Sequence, residues 1–193
     1  MDKKPELYFP RDIEWREWLH ENYTTFPKGI YLIFYKLDTG QPSMRWEEAV
    51  KVALCYGWID STVKSLGNGK RRQYFCPRNP KSTWSKLNKS YITQLEKQQL
   101  IHKSGWEMID LAKETGTWTA MDAVENGIIP PDLQKAFDNN QKAYTNYLHF
   151  APSYRKGYLS WLHSAKRQET KDKRITEIIR LCENNQKSRQ DGR

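Results

Sequence analysis

The chain of 193 residues carries 32 Lys and Arg against 23 Asp and Glu, a net charge of +9, with 37% hydrophobic and 13% aromatic residues and eight Trp. That length fits one compact domain, or one domain with a helical extension, and the apolar content is enough for a core, which excludes wholesale disorder. Ten Gly, nine Pro and three Cys are too few for collagen, mucin or disulfide frameworks, and no apolar run approaches the roughly 18 to 20 residues of a membrane span.

A helix is expected over Asp12 to Tyr23, where Trp15, Trp18 and Leu19 fall at i, i+3 and i+4 after Pro10. Gly29 to Lys36 reads as a strand that is apolar or aromatic on both faces, hence an interior strand covered on each side. Asp38 to Pro42 breaks it. From Arg45, the positions Trp46, Ala49, Val50, Ala53 and Leu54 follow the helical period, and Gly57 closes that helix as a C-cap glycine. Trp58 to Leu66 and Lys70 to Cys76 are extended, and Gly67-Asn68-Gly69 supplies a three-residue hairpin loop of residues that tolerate positive φ. Pro77 and Pro80 stop the second strand, after which Trp84 to Lys97 and Trp106 to Lys113 are helical. Four further helices are expected over Asp132 to Phe137, Ala143 to Phe150, Tyr154 to Lys166 and Lys171 to Glu183. The last two carry apolar stripes at Tyr154, Tyr158, Trp161, Leu162 and Ala165 and at Ile175, Ile178, Ile179 and Cys182.

The fold class read from this order is α+β: a small antiparallel or mixed sheet with helices in the N-terminal part, followed by a C-terminal helical subdomain. The expected boundaries are 1–117 for the α/β unit with its basic hairpin, 118–183 for a helical subdomain packed on it, and 184–193 for a polar, disordered tail.

The charge is concentrated. Between Ser61 and Leu95 there is no acid, while Lys64, Lys70, Arg71, Arg72, Arg78, Lys81, Lys86 and Lys89 are cationic and Tyr74, Phe75, Trp84 and Tyr91 lie among them. Guanidinium forks, hydroxyls and helix-start amides are what a cluster of anionic oxygens needs. Ser82, Thr83 or Ser85 is placed to cap the helix that follows. For Lys70 to Arg72 the competing reading is a solvated hairpin kept from aggregating by its charge. For Arg78, held between Pro77 and Pro80, it is a salt bridge to Asp60, the one acid between Glu48 and Glu96.

Several chemistries lack their motifs. There is no GxGxxG, Walker A, HExxH, GxSxG or EF-hand pattern, and the four His and three Cys form no zinc-like spacing, so no cofactor and no metal are expected and the catalytic residues are unknown. Cys55, Cys76 and Cys182 read as reduced thiols. An N-terminus without an apolar h-region adds the expectation of a cytoplasmic location without membrane insertion.

The string from Trp46 to Ser61, the basic hairpin after it, Phe75 to Arg78, Ser82 to Asn88, Gly105 to Trp118 and the late block Ser164 to Ile175 resemble the YdeI/OmpD-associated family, also called bacteriocin-protection proteins. The resemblance covers nearly the whole chain. It implies a bacterial, intracellular α+β protein and transfers no catalytic residues. A departure is Lys171, where family members often carry Arg, leaving a point charge in place of a fork.

Three functions stay open on these residues. The first is a module that binds a small anionic, phosphate-bearing ligand through Trp58, Asp60, Lys64, Arg72, Arg78, Trp84, Ser85 and Asn88, with an indirect part in stress or bacteriocin protection. The second is sequence-tolerant nucleic-acid binding by the same basic and aromatic surface, in keeping with a pI near 9.4. The third is an enzyme with Asp60 as acid or base, against which its basic neighbours act by lowering a carboxyl pKa. No oligomeric state is read from the sequence.

Overall fold

Glycine at 57 and a run of aromatic residues around it organise the first half of the chain. In the computed structural model, which describes residues 4–189, contacts divide the chain after Thr119 into two units. The first contains β1 (Glu6–Tyr8), α1 (Asp12–Asn22), β2 (Ile30–Tyr35), a 3₁₀ turn (Leu37–Thr39), α2 (Trp46–Cys55), β3 (Trp58–Gly67), β4 (Lys70–Pro77), α3 (Lys86–Lys97) and α4 (Lys103–Glu114). The second contains α5 (Asp122–Glu125), α6 (Pro131–Asp138), α7 (Gln141–His149), α8 (Pro152–His163) and α9 (Gln168–Glu183). The class is α+β, as the order of elements predicts.

The sheet order is β1-β2-β4-β3, with β1 parallel to β2 and the other two pairings antiparallel. β2 is therefore interior, as its apolar run predicts, and it has buried residues on both faces, although one face alone belongs to the large core cluster. Ile30, Leu32 and Phe34 are buried at 2% exposure or less and pack with Trp15, Leu19, Val50, Leu54, Trp58, Phe75 and Trp84. Tyr31 and Tyr35, on the other face, are half-buried and stand outside that core cluster. Ile33, between them on that face, is nevertheless buried at 5% exposure, and tyrosine suits the half-buried positions beside it because its ring is apolar and its hydroxyl is content in water. β1 is too short to show an alternation and was not foreseen.

Within the core, buried indole N–H groups find backbone acceptors: Trp15 Nε1 donates to Ala49 O at 3.1 Å and Trp58 Nε1 to Tyr23 O at 3.0 Å. Gly57 has φ +74° and ends α2 as expected, and a Cβ there would lie 2.9 Å from Ser104 O, so this position needs both the left-handed conformation and the missing side chain. The hairpin turn has two residues, not three. Gly67 pairs with Lys70, and Asn68 and Gly69 both take positive φ, +48° and +70°, as a type I′ connection requires. β3 is an edge strand, exposed from Ser61 onward and interrupted by two register shifts, features that discourage edge-to-edge pairing.

In the second unit Pro130 and Pro131 begin α6, with Pro131 at its first position. Leu133, Phe137, Ala143, Tyr147, Tyr158, Leu159, Leu162, Ile178 and Cys182 form its core. The α8 stripe is rotated from the one expected: Tyr158, Leu159 and Leu162 are buried, whereas Tyr154 is exposed and Trp161 half-buried beneath the guanidinium groups of Arg174 and Arg189. Lys171 ties α9 to Asp132 of α6 through an ion pair. α5 is a short helix that periodicity did not mark. In the stretch read as a disordered tail, Gln186 accepts from Tyr158 Oη at 2.8 Å and Arg189 covers Trp161, while residues 190–193 lie outside the described residues. Among the described residues no helix is long and apolar enough to cross a membrane.

Candidate functional site

The β3–β4 hairpin leans over the start of the 3₁₀ turn. Gly69 O accepts from Lys36 N at 2.8 Å, and a Cβ on Gly69 would sit 2.2 Å from Thr39 Cγ2, so the absent side chain is what lets the two loops touch. Beneath this contact the hairpin, the end of β2 and the start of α2 enclose a groove of about 890 Å³. Phe34, Met44 and Trp46 give it an apolar wall, and Lys36, Arg45, Lys70 and Arg71 are its cations, with Asp38 the acid among the lining residues. None of these four cations is in a salt bridge among the described residues. The Arg71 guanidinium stands 5.3 Å from the Phe34 ring centre and Lys70 Nζ 5.9 Å from that of Tyr35, so two of the four are held against aromatic faces.

Behind the wall is Asp60. It accepts from Trp46 Nε1 at 2.8 Å and from Gln73 Nε2, so the carboxylate orients the groove's tryptophan and is occupied by neutral donors. The salt bridge from Arg78 to Asp60, the competing reading for this arginine, is not formed among the described residues. Arg78, only 5% exposed, lays its guanidinium 3.7 Å from the Trp84 ring centre and donates Nη2 to Thr83 O. Its Nε is buried with no partner. Burial alone pulls its pKa down to about 10, because no carboxylate offsets the loss of water. Ser85, among the three residues placed to cap, is the one that does so, its Oγ accepting from Asn88 N at 3.1 Å at the start of α3.

The eight residues singled out by sequence thus fall into three places. Arg78, Trp84, Ser85 and Asn88 converge at the entry to α3. Trp58 is a core side chain 1% exposed, and Asp60 lies behind Trp46. Lys64 and Arg72 face each other across β3 and β4 on the sheet's outer side, where Arg72 pairs with Glu6 and stacks over Tyr31 at 4.4 Å. They do not share one concavity. Lys36, Arg45, Trp46 and Arg71, which do, were passed over as site residues: only the pairing of Tyr35 with Lys70 brings the end of β2 to the hairpin. Two of the three thiols are sealed off from reaction. Cys55 and Cys182 are fully buried, and burial pushes Cys55 up and Cys182 up to about 12. Among the described residues no group of His, Cys, Asp and Glu is arranged to hold a metal.

All of the groove falls within residues 7–108, which match a family described as a domain of unknown function, DUF8412. The chain belongs to that family. Residues 126–185, from the end of α5 through α9, match the family described as Bacteriocin-protection, YdeI or OmpD-Associated, so the second unit carries a YdeI/OmpD-associated domain. The resemblance read from sequence is upheld there, by the late block Ser164 to Ile175. Its earlier segments, Trp46 to Ser61 and Phe75 to Asn88, lie in the DUF8412 match instead. No curated protein and no solved structure matches the chain.

Proposed function

We propose that the DUF8412 unit binds a small phosphate-bearing anion in the groove beneath the β3–β4 hairpin. The supporting observation is the lining itself: four cations without ion-pair partners among the described residues, one acid and an apolar aromatic wall in a concavity of about 890 Å³. Small-molecule sites commonly have about 300–1,000 Å³ and a few placed polar groups on an apolar lining. Like charges held together without counter-ions repel one another, and a phosphate relieves that repulsion while accepting the paired donors of Arg71 and Arg45. Trp46, oriented by Asp60, offers its face to a planar or sugar portion of the ligand. On this reading the protection named in the second unit's family description is an indirect consequence of ligand sensing.

Calorimetric titration with pyrophosphate, ADP and glucose 6-phosphate tests it. Saturable binding of at least one, weakened roughly 10- to 100-fold by Arg71→Ala, is expected, since a charge-assisted hydrogen bond is worth about 1.5–3 kcal/mol. Absence of binding by all three overturns the proposal, as does binding that ignores Arg71→Ala but is lost in Arg78→Met, which would put the ligand at the α3 entry.

A further inference from the structure

The outer face of the sheet has a composition that the groove touches only at Tyr35 and Lys70. Alternation along β2 puts Tyr31, Ile33 and Tyr35 on it, and the strand registers add Glu6 and Tyr8 from β1, Tyr74, Arg72 and Lys70 from β4, and Lys64 from β3. Four tyrosines on the non-core face of a four-stranded sheet are unusual packing material, because none is needed to fill the core cluster on the other side. They form two pairs: Tyr31 with Tyr74 at 5.5 Å between ring centres, and Tyr35 with Tyr8 at 5.3 Å. Tyr31 and Tyr35 stand four positions apart on β2, about 13 Å at about 3.3 Å per residue.

Cations are interleaved with the rings. Lys4 Nζ lies 3.9 Å from the Tyr74 ring centre, Arg72 is over Tyr31, and Lys70 is beside Tyr35. Glu6 is the acid on this face and is paired with Arg72, which leaves Lys4, Lys64 and Lys70 as uncompensated charge. Rings set at intervals along extended strands, with positive charge between them, match a polymer that alternates flat bases with phosphates. The bases must be unpaired, since a duplex keeps their faces stacked on one another.

We propose that this tyrosine-lined sheet face binds single-stranded nucleic acid without sequence preference, with bases against Tyr31 and Tyr35 and phosphates at Lys4, Lys64 and Lys70. Among the described residues the hydroxyls of Tyr31 and Tyr35 have no hydrogen-bond partner and both rings are half-buried, so these two can be changed without taking a bond from the fold. Tyr35 and Lys70 also line the groove, so the two sites share an edge; Arg71, which pairs with Phe34 and faces away from the tyrosines, belongs to the groove and tells the two apart.

The experiment is fluorescence anisotropy with a labelled ten-nucleotide oligouridylate and with an RNA duplex of equal length, using the full chain. Saturable binding of the single strand is expected at 50 mM salt, falling about 20-fold at 200 mM, because three phosphate contacts give a logarithmic slope of about −2. The double variant Tyr31→Leu/Tyr35→Leu should bind at least tenfold more weakly, Tyr31→Phe/Tyr35→Phe should bind like wild type because the rings remain, and the groove variant Arg71→Ala should retain binding. Circular dichroism of each variant establishes that it is folded. The proposal is overturned by absence of binding at 50 mM salt, by equal or tighter binding of the duplex, or by folded leucine variants that bind like wild type, which would indicate attraction by net charge alone.

Discussion

Arg78→Met replaces a buried cation that has no carboxylate partner with an apolar chain of similar length. The depression of its pKa from 12.5 to about 10 corresponds to about 3 kcal/mol, at about 1.36 kcal/mol per pH unit, by which the fold disfavours the charge. Against this stand the stacking on Trp84, about 2 kcal/mol for a desolvated cation, and the hydrogen bond to Thr83 O, about 1–2 kcal/mol. These terms nearly cancel, so Arg78→Met should alter stability by less than about 1.5 kcal/mol although the side chain is 5% exposed. Arg78→Ala, which empties the space against Trp84, should cost about 2–4 kcal/mol. Urea unfolding at pH 7 followed by tryptophan fluorescence suits the comparison, because seven of the eight Trp precede residue 120 and report on the first unit. The sign with pH is set as well. The guanidinium holds its proton less tightly folded than unfolded, so its destabilising share is complete below about pH 10 and shrinks above it, where wild type should gain on Arg78→Met. A loss of 3 kcal/mol or more in Arg78→Met would refute the reasoning, since it would mean that a carboxylate neutralises the charge after all.

Two further outcomes follow from the same packing. Gly69→Ala adds a Cβ 2.2 Å from Thr39 Cγ2 at a φ of +70°, so it should destabilise the first unit by about 1–2 kcal/mol in urea titrations and weaken pyrophosphate binding together with it. Unchanged stability would show that the hairpin and the 3₁₀ turn are free to part. Of the three thiols, Cys55 and Cys182 are sealed in cores and Cys76 is half-buried, with burial raising the pKa of each. Ellman's reagent at pH 8 should therefore modify Cys76 alone and slowly in the folded chain, and all three in urea; two rapidly reacting thiols would contradict the burial described here.

The contrast between Ser85 and Arg78 shows what could be read in advance. A capping serine acts within three residues of itself, so the helix start was legible to within a choice of Ser82, Thr83 and Ser85. Arg78 lies against Trp84, six residues further along the chain, but whether it would pair with Asp60 depended on which way a strand end faced. Asp60 turned out to satisfy Trp46 and Gln73, and the arginine settled for a ring and a carbonyl.

The same division runs through the whole molecule. Periodicity, punctuation by Gly and Pro, and the acid-free window from Ser61 to Leu95 were enough to determine the α+β class, nearly every helix, the hairpin and the segment where positive charge collects, because each of these is decided by residues close together in the chain. Only the tertiary structure decided how that charge is distributed. Neighbours in a strand point to opposite faces, so Arg71 entered the groove with Phe34 while Arg72 went to the tyrosines, and Lys36 and Arg45 joined Arg71 from elements that nothing local links to it.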